Sequence, residues 1–287
     1  MHTILRSHAK EVVIGPDRPF CVIGERINPT GRKKFGEALR AGDLSQVVVD
    51  VERQVAAGAN MLDVNAGVPL ADEADLLARM IRLIQEHTDL PICIDSSVVE
   101  ALEAGLSVYQ GKALVNSVTG EDDRLAEILP LVKRYGAAVI ALANDETGIP
   151  ETAEKRLEIT EKIVDVATKE YGIPIEDIVI DPLAMTVGAD TDAVNVTLDT
   201  IRQIRRRWGL NMCLGASNVS FGLPERNAVN AAFLAMAMSA GLTSAIMNAL
   251  APECVAAVRA GDLLLGNDPW GANWIAAFRA KSAASTA

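Results

Sequence analysis

Leu214-Gly-Ala-Ser-Asn-Val-Ser-Phe-Gly-Leu-Pro-Glu-Arg-Asn227 is the stretch on which the reading of this chain turns. Met212 to Leu214 is a short apolar run suited to a buried strand. It breaks at once into small and amide residues, Gly215, Ser217, Asn218 and Ser220, and a helical pattern begins at Pro224. Strand, small polar turn and helix N-terminus together set hydrogen-bonding groups at the mouth of an α/β barrel.

The same order recurs along the chain. Phe20-Cys-Val-Ile ends in Gly24-Glu-Arg-Ile-Asn28, and Asn60-Met-Leu in Asp63-Val-Asn65. Ile92-Cys-Ile ends in Asp95-Ser-Ser97, and Ala113-Leu-Val in Asn116-Ser-Val-Thr-Gly120. Val139-Ile-Ala-Leu-Ala ends in Asn144-Asp-Glu-Thr-Gly148, Ile178-Val-Ile in Asp181-Pro182, and Ser244-Ala-Ile-Met in Asn248. These runs do not alternate, as expected for parallel strands covered on both faces. Between them lie amphipathic helical patterns. One presents Leu44, Val47, Val48, Val51 and Val55 on a single face; another presents Leu157, Ile159, Ile163 and Val166. Asp123–Arg134, Asp192–Arg206 and Arg226–Ala240 read alike. About eight strand–helix alternations predict an α/β fold, a single (β/α)8 TIM barrel. An open doubly wound sheet would call for a glycine phosphate loop, and neither G-x-G-x-x-G nor G-x-x-x-x-G-K occurs.

The bulk numbers agree. A chain of 287 residues with 49% hydrophobic, 23% charged and 4% aromatic residues suits one aliphatic-cored domain. No linker divides it. Residues 1–18 read as an N-terminal extension lying over the bottom of the barrel, 19–265 as the barrel, and 266–287 as a C-terminal segment whose tail, Lys281–Ala287, frays. A net charge of −11 argues against nucleic acid or an anionic membrane as partner. The N-terminus lacks a signal-peptide core, and the longest apolar run, Ala231–Met238, is far short of a membrane span, which points to the cytoplasm. Cys21, Cys93, Cys213 and Cys254 are scattered and read as reduced, buried thiols. None of His2, His8 and His87 falls at a strand end, which excludes a histidine triad or histidine-ligated metal. Met236 and Met238, with Leu234, read as core filling.

The strand ends therefore predict a pocket of Asp63, Asn65, Asp95, Asn116, Asn144, Asp181, Asn218 and Asn248. Carboxylates and amides accept from the N–H groups of a flat heterocycle, and amides also donate to its carbonyl. Such a set suits recognition of a polar ring better than nucleophilic attack. Ser97 or Ser117 alone would read as helix caps. A divalent metal on Asp63, Asp95 and Asp181 fits by ligand type but matches no metal-binding spacing. Asn28-Pro-Thr-Gly-Arg-Lys-Lys34 is a local positive run, read either as a solvated turn or as a contact for an anionic substrate tail or acidic partner.

In order, Gly24-Glu-Arg-Ile-Asn28 with Thr30-Gly31, Leu62-Asp-Val-Asn65-Ala-Gly67, Ile94-Asp-Ser-Ser97, Asn116-Ser117, Ile180-Asp-Pro-Leu183 and Gly215-Ala-Ser-Asn-Val-Ser220 resemble the pterin-binding methyltransferases. These are the methyltetrahydrofolate:corrinoid methyltransferases and the folate-binding module of cobalamin-dependent methionine synthase. The resemblance runs from about Phe20 to Leu263. It implies a barrel, commonly homodimeric, that moves a methyl group between N5 of tetrahydrofolate and the cobalt of a corrinoid (cobalamin). Asp95, Asn116 and Asp181 would hold the pteridine, with Gly215 and Ser217 touching it, Asp63 and Asn65 lining the pocket, and Asn218 near N5. Asn144-Asp145-Glu146 stands where some relatives carry a lysine, and Ser220-Phe221-Gly222-Leu223 also departs from several members. No D-x-H-x-x-G corrinoid motif and no zinc-cysteine cluster occur, so the corrinoid is expected on a separate partner protein. The direction of transfer is open; methylcorrinoid to tetrahydrofolate, as in demethylation of methylamines or betaines, is one of the two. The alternatives are a dihydropteroate synthase-like enzyme, whose lysine and Ser-x-Arg features are not evident near the last strands, and a non-catalytic folate-binding subunit.

Overall fold

A computed structural model describes residues 1–286. Two short strands, β1 (Thr3–Arg6) and β2 (Glu11–Ile14), form an antiparallel hairpin. Eight parallel strands follow: β3 (Cys21–Ile27), β4 (Met61–Asn65), β5 (Ile92–Asp95), β6 (Leu114–Val118), β7 (Ala138–Leu142), β8 (Ile178–Asp181), β9 (Cys213–Gly215) and β10 (Ser244–Met247). Their order is β8-β7-β6-β5-β4-β3-β10-β9. The ring closes where Ile180 N–H donates to the Asn211 carbonyl at 3.0 Å and Ile180 bridges Met212. The fold is the expected (β/α)8 barrel.

Each connection back across the outside is helical: α2 (Ser45–Ala57), α3 (Glu73–His87), α4 (Val99–Val108), α5 (Asp122–Tyr135), α6 (Ala153–Asp165), α7 (Ala193–Trp208), α8 (Arg226–Ala240) and α9 (Pro252–Leu265). The first connection carries one helix more, α1 (Lys33–Arg40), set on the rim before α2. Apolar faces decide how these helices sit. On α3, Leu76, Leu77, Met80, Ile81 and Ile84 are buried at three- and four-residue intervals against the sheet. On α8, Leu234 and Met238 lie one turn apart and are buried, but Met236 points the other way and is 48% exposed. The expectation that Met236 fills the core is therefore corrected by helical period alone. The last helix, α10 (Ala272–Thr286), is helical as far as Thr286 where fraying is expected from Lys281; Ala287 lies outside the described residues.

The lumen is solid. Leu5 and Ile14 of the hairpin pack from below onto Cys21, Ile23, Met61, Cys93, Leu114, Ala138, Ile140, Val179 and Cys213. The hairpin is tied to residues just ahead of four strands. Ser7 Oγ donates to the Asp89 carbonyl (2.6 Å), Arg6 N–H to the Lys112 carbonyl (3.0 Å), Thr3 Oγ1 to the Glu176 carbonyl (2.5 Å), and Asn211 Nδ2 to the Ile14 carbonyl (2.9 Å). It lies across the N-terminal ends of the barrel strands and stops that end.

Candidate functional site

Side chains alternate along each strand, so residues two apart share the lumen. That parity carries an apolar layer up into a polar one. Ile23 is followed inward by Glu25, Met61 by Asp63 and Asn65, Cys93 by Asp95, Leu114 by Asn116, and Val179 by Asp181. Strand register sets Asn65 beside Asp95 and Asp95 beside Asn116 at one level. The expected strand-end residues thus converge on the C-terminal mouth.

The walls are bonded to each other. Asn65 Nδ2 donates to Asp95 Oδ2 at 3.0 Å and Asn116 Nδ2 to Asp63 Oδ1 at 3.2 Å. Leu183 N–H donates to Asp181 Oδ1 at 2.7 Å, and Ser217 Oγ to Glu25 Oε2 at 2.9 Å. Among the described residues this leaves Asp95 Oδ1, Asp181 Oδ2 and Asn116 Oδ1 without a protein partner. Asn144 Oδ1 is fully buried and also unpartnered. Asn248 spends its Oδ1 on the Leu250 N–H, 3.0 Å away. A set of open acceptors is what a ring bearing several N–H groups requires.

Burial controls the charge of these acids. It raises the carboxyl of Asp181 to about 7, opposed by the Leu183 N–H and then by Arg156. Burial likewise lifts Asp95 to about 6, opposed by the Asn65 amide and reinforced by Glu73. Asp63 is pushed well above the carboxylate range, first by burial and then by the charge of Asp95, against the hydrogen bond from Asn116. Glu25 is raised by burial and lowered in part by Ser217, Arg26 and Arg226. The thiols beneath are not nucleophiles, because burial pushes Cys21 up to about 12 and Cys93 and Cys213 well above their ordinary value. Among the described residues no three His, Cys, Asp or Glu side chains are grouped to hold a metal ion, so Asp63, Asp95 and Asp181 do not make such a centre.

The turn after β9 forms a 3-10 helix, Ala216–Ser220, above this layer. Asn218 is exposed on it, at the rim of the pocket. A Cβ built on Gly215 would stand 2.9 Å from Asn218 Nδ2, so glycine is what lets the amide fold back over the strand end. Arg226 fastens the turn: its Nη2 donates to the Ser217 carbonyl at 2.7 Å, its Nε to Ser220 Oγ at 3.1 Å, and its guanidinium lies 5.6 Å from the Phe221 ring centre.

Three contributors go beyond the residues anticipated for the pocket. Glu25 enters it because Cys21, Ile23 and Glu25 share parity, a signal legible in the strand once its inward face is known. β3 slips register between Gly24 and Ile27, and the buried side chain of Gln54 crosses over Gly24 to accept the freed Arg26 N–H at 3.0 Å. Arg156, on α6 and 2% exposed, donates to the carbonyls of Pro150, Pro182 and Leu183 at 3.1, 2.7 and 2.8 Å. It holds the loop that follows Asp181, and no motif marks it. The capping reading of Ser97 and Ser117 is corrected: Ser117 lies within β6, and α4, whose N-cap is Val98, takes no side-chain cap; the Ser96 hydroxyl just ahead of it accepts from the Val98 N–H at 2.9 Å and donates to Glu73.

Residues 24–248 match the family model described as pterin binding enzyme. The chain is 33% identical over 266 residues to the methylcorrinoid:tetrahydrofolate methyltransferase of Eubacterium limosum, covering 90% of this chain and 96% of that protein. It is 37% identical over 246 residues to methionine synthase of Mycobacterium tuberculosis, 81% of this chain but only 21% of that longer protein. Among solved structures, dihydropteroate synthase of Yersinia pestis in complex with a pterine-sulfa conjugate superposes with a TM-score of 0.68 at 15% identity, covering 92% of this chain and 98% of that one. That of Xanthomonas albilineans superposes at 0.67 and 16%, covering 88% and 95%. At such identities the likeness is one of fold.

Proposed function

Because the chain belongs to the pterin-binding enzyme family, we propose that it is a methyltransferase moving a methyl group between N5 of tetrahydrofolate and the cobalt of a corrinoid carried by a separate protein. The observation that carries this reading is the junction of open acceptors on Asp95, Asn116 and Asp181 with one exposed amide, Asn218, folded back against Gly215 at the neighbouring strand end. These oxygens serve the amino and ring N–H groups of a pteridine. Asp63 and Asn65 hold Asn116 and Asp95 in place for that purpose. Resemblance in sequence to the Eubacterium limosum enzyme, over almost the whole of both chains, supports methyl transfer to or from folate rather than synthesis of dihydropteroate.

When the methyl group leaves N5 for cobalt, the C–N bond breaks, N5 keeps the electron pair, and that nitrogen takes up a proton from water to become the N5–H of tetrahydrofolate. A neutral amide is no general acid, but Asn218 donates a bond that strengthens as charge develops on N5, stabilising the transition state. In the reverse direction the same bond weakens as N5 is methylated. Ser217, anchored on Glu25, and Arg226 keep the turn in place. We read the protein as a cytoplasmic homodimer that meets its corrinoid partner at the open mouth. No helix among the described residues is long and apolar enough to cross a membrane.

The test is to mix methyltetrahydrofolate with cob(I)alamin or a corrinoid protein and follow the corrinoid spectrum. Methylation is expected, and Asn218→Ala should slow it by about 100-fold with unchanged melting, the size of effect seen on removing one preorganised donor. Folate binding without turnover would instead identify a silent subunit, and condensation of a pterin with aminobenzoate a synthase.

A further inference from the structure

Arg156 has more donors than its place in the fold consumes. A guanidinium donates from all three of its nitrogens. Here Nε serves the Pro150 carbonyl, and Nη1 serves those of Pro182 and Leu183. Nη2 has no protein partner among the described residues, although the side chain is only 2% exposed. Nor does any carboxylate among them form an ion pair with the guanidinium; burial lowers its pKa, and Asp181 opposes that from a distance. A buried charge with no counter-charge beside it is costly to keep.

Arg156 stands on the wall of a cavity of about 230 Å³ between the connections that follow β7 and β8. None of the strand-end acids and amides of the mouth lines this cavity, so it is a compartment apart from the pocket. Ile149, Pro150, Met185, Ala189 and Val196 make its wall largely apolar. α7 begins in that wall at Ala193, and no side chain caps its N-terminus. The free N–H groups of a first helical turn favour a negative group, as Arg156 does. Glu151 and Asp190, both exposed, are the carboxylates on the wall. A bare anion is thus drawn by Arg156 and repelled by the two acids, and a bare cation meets the reverse. A small molecule that carries both charges and an apolar body meets every group present.

We propose that this cavity binds a free α-amino acid with a small aliphatic side chain. Its carboxylate lies on Arg156 Nη2 and the start of α7, its ammonium group towards Glu151 and Asp190, and its side chain among Ile149, Met185 and Val196. The site is distinct from the folate pocket, so the amino acid and the folate are held at the same time.

Titration calorimetry tests this with L-valine, L-leucine and L-isoleucine, each beside the amine and the carboxylic acid that lack one of its two charges. At least one of the amino acids should bind the wild-type protein with a Kd of about 1 mM or tighter, and its amine and its acid at least about tenfold more weakly. Saturating tetrahydrofolate should leave that Kd unchanged. Ala189→Phe, which fills the cavity from its exposed side, should abolish the binding with melting and corrinoid methylation kept. In Glu151→Gln/Asp190→Asn the amino acid and its acid should bind within about twofold of each other, since the partners of the ammonium group are then neutral. These variants leave Arg156, and with it the loop after Asp181, in place. Absence of binding by all three amino acids would overturn the proposal, as would equal affinity for an amino acid and its amine. Displacement by tetrahydrofolate, or an unchanged Kd in Ala189→Phe, would overturn it by placing the amino acid elsewhere.

Discussion

Two atoms carry more of the proposed chemistry than their size suggests: the hydrogen that stands for a side chain at Gly215 and the open oxygen of Asp181. Gly215→Ala puts a methyl group 2.9 Å from where Asn218 Nδ2 now lies, closer than real contacts allow. The amide must swing away, so this variant should lose at least about tenfold in methyl-transfer rate. Because the pteridine ring does not depend on that amide, folate affinity should be kept; a normal rate would show that Asn218 reaches N5 from another position. Asp181 poses a question of charge. Its folded value of about 7 stands above the ordinary 3.8, so the folded protein holds the proton more tightly than the unfolded chain. Below about pH 4 both states are protonated and the residue costs nothing. Between that and pH 7 stability is lost as pH rises, by at most about 1.4 kcal/mol per unit from this one group, and above pH 7 the cost is complete. Asp181→Asn, which keeps an oxygen for the Leu183 N–H, should therefore unfold at progressively higher denaturant than wild type as pH rises from 4 to 7, with a constant margin beyond. It should also bind folate more weakly, since an amide places an N–H2 where the ring needs an acceptor.

At the scale of elements, the hairpin β1–β2 closes the lower end of the lumen through two side chains, Leu5 and Ile14, both fully buried. Leu5→Ala should cost about 2–5 kcal/mol in chemical denaturation, the range for a leucine removed from a core that cannot collapse around the gap. A loss under 0.5 kcal/mol would mean that the hairpin merely rests on the barrel. The eight strands were legible in the sequence because a parallel strand buried on both faces has to be apolar throughout, and a functional mouth makes each run end abruptly in Asp or Asn. Asp63, Asn65, Asp95, Asn116 and Asp181 could be located on that signal alone. Glu25 was not, because Gly24-Glu-Arg sits in a register slip and nothing local says which of its side chains points inward. Arg156 and Arg226 were hidden for another reason. Each acts chiefly on backbone carbonyls, those of Pro182 and Leu183 for Arg156 and that of Ser217 for Arg226, and a carbonyl leaves no mark in a sequence. Met236 shows the converse: apolar residues two apart on a helix cannot share a face, so composition misleads where period does not.

For the whole molecule, the barrel's closure is what protects its interior. Cys21, Cys93 and Cys213 stand in the lumen between the hairpin and the polar layer, and no single helix or loop can expose them. Opening them requires breaking the ring of strands or lifting the hairpin from its floor. A thiol reagent should therefore label the three slowly and together, at the rate at which the hairpin or the whole barrel opens, while Cys254 on α9 reacts independently. Early labelling of Cys213 alone would show that the β8–β9 seam, held by a shorter ladder than its neighbours, opens by itself. The plugged floor has a further bearing, on the order of events. A lumen stopped at the bottom has one door, and two reactants that meet in a cul-de-sac cannot exchange places. Whichever lies on Asp95, Asn116 and Asp181 is shut in by the one that follows. On the proposed function, the folate is then first in and last out, and the corrinoid protein a caller that docks and departs while the folate waits. Product-inhibition kinetics would register that as a compulsory sequence rather than a random one.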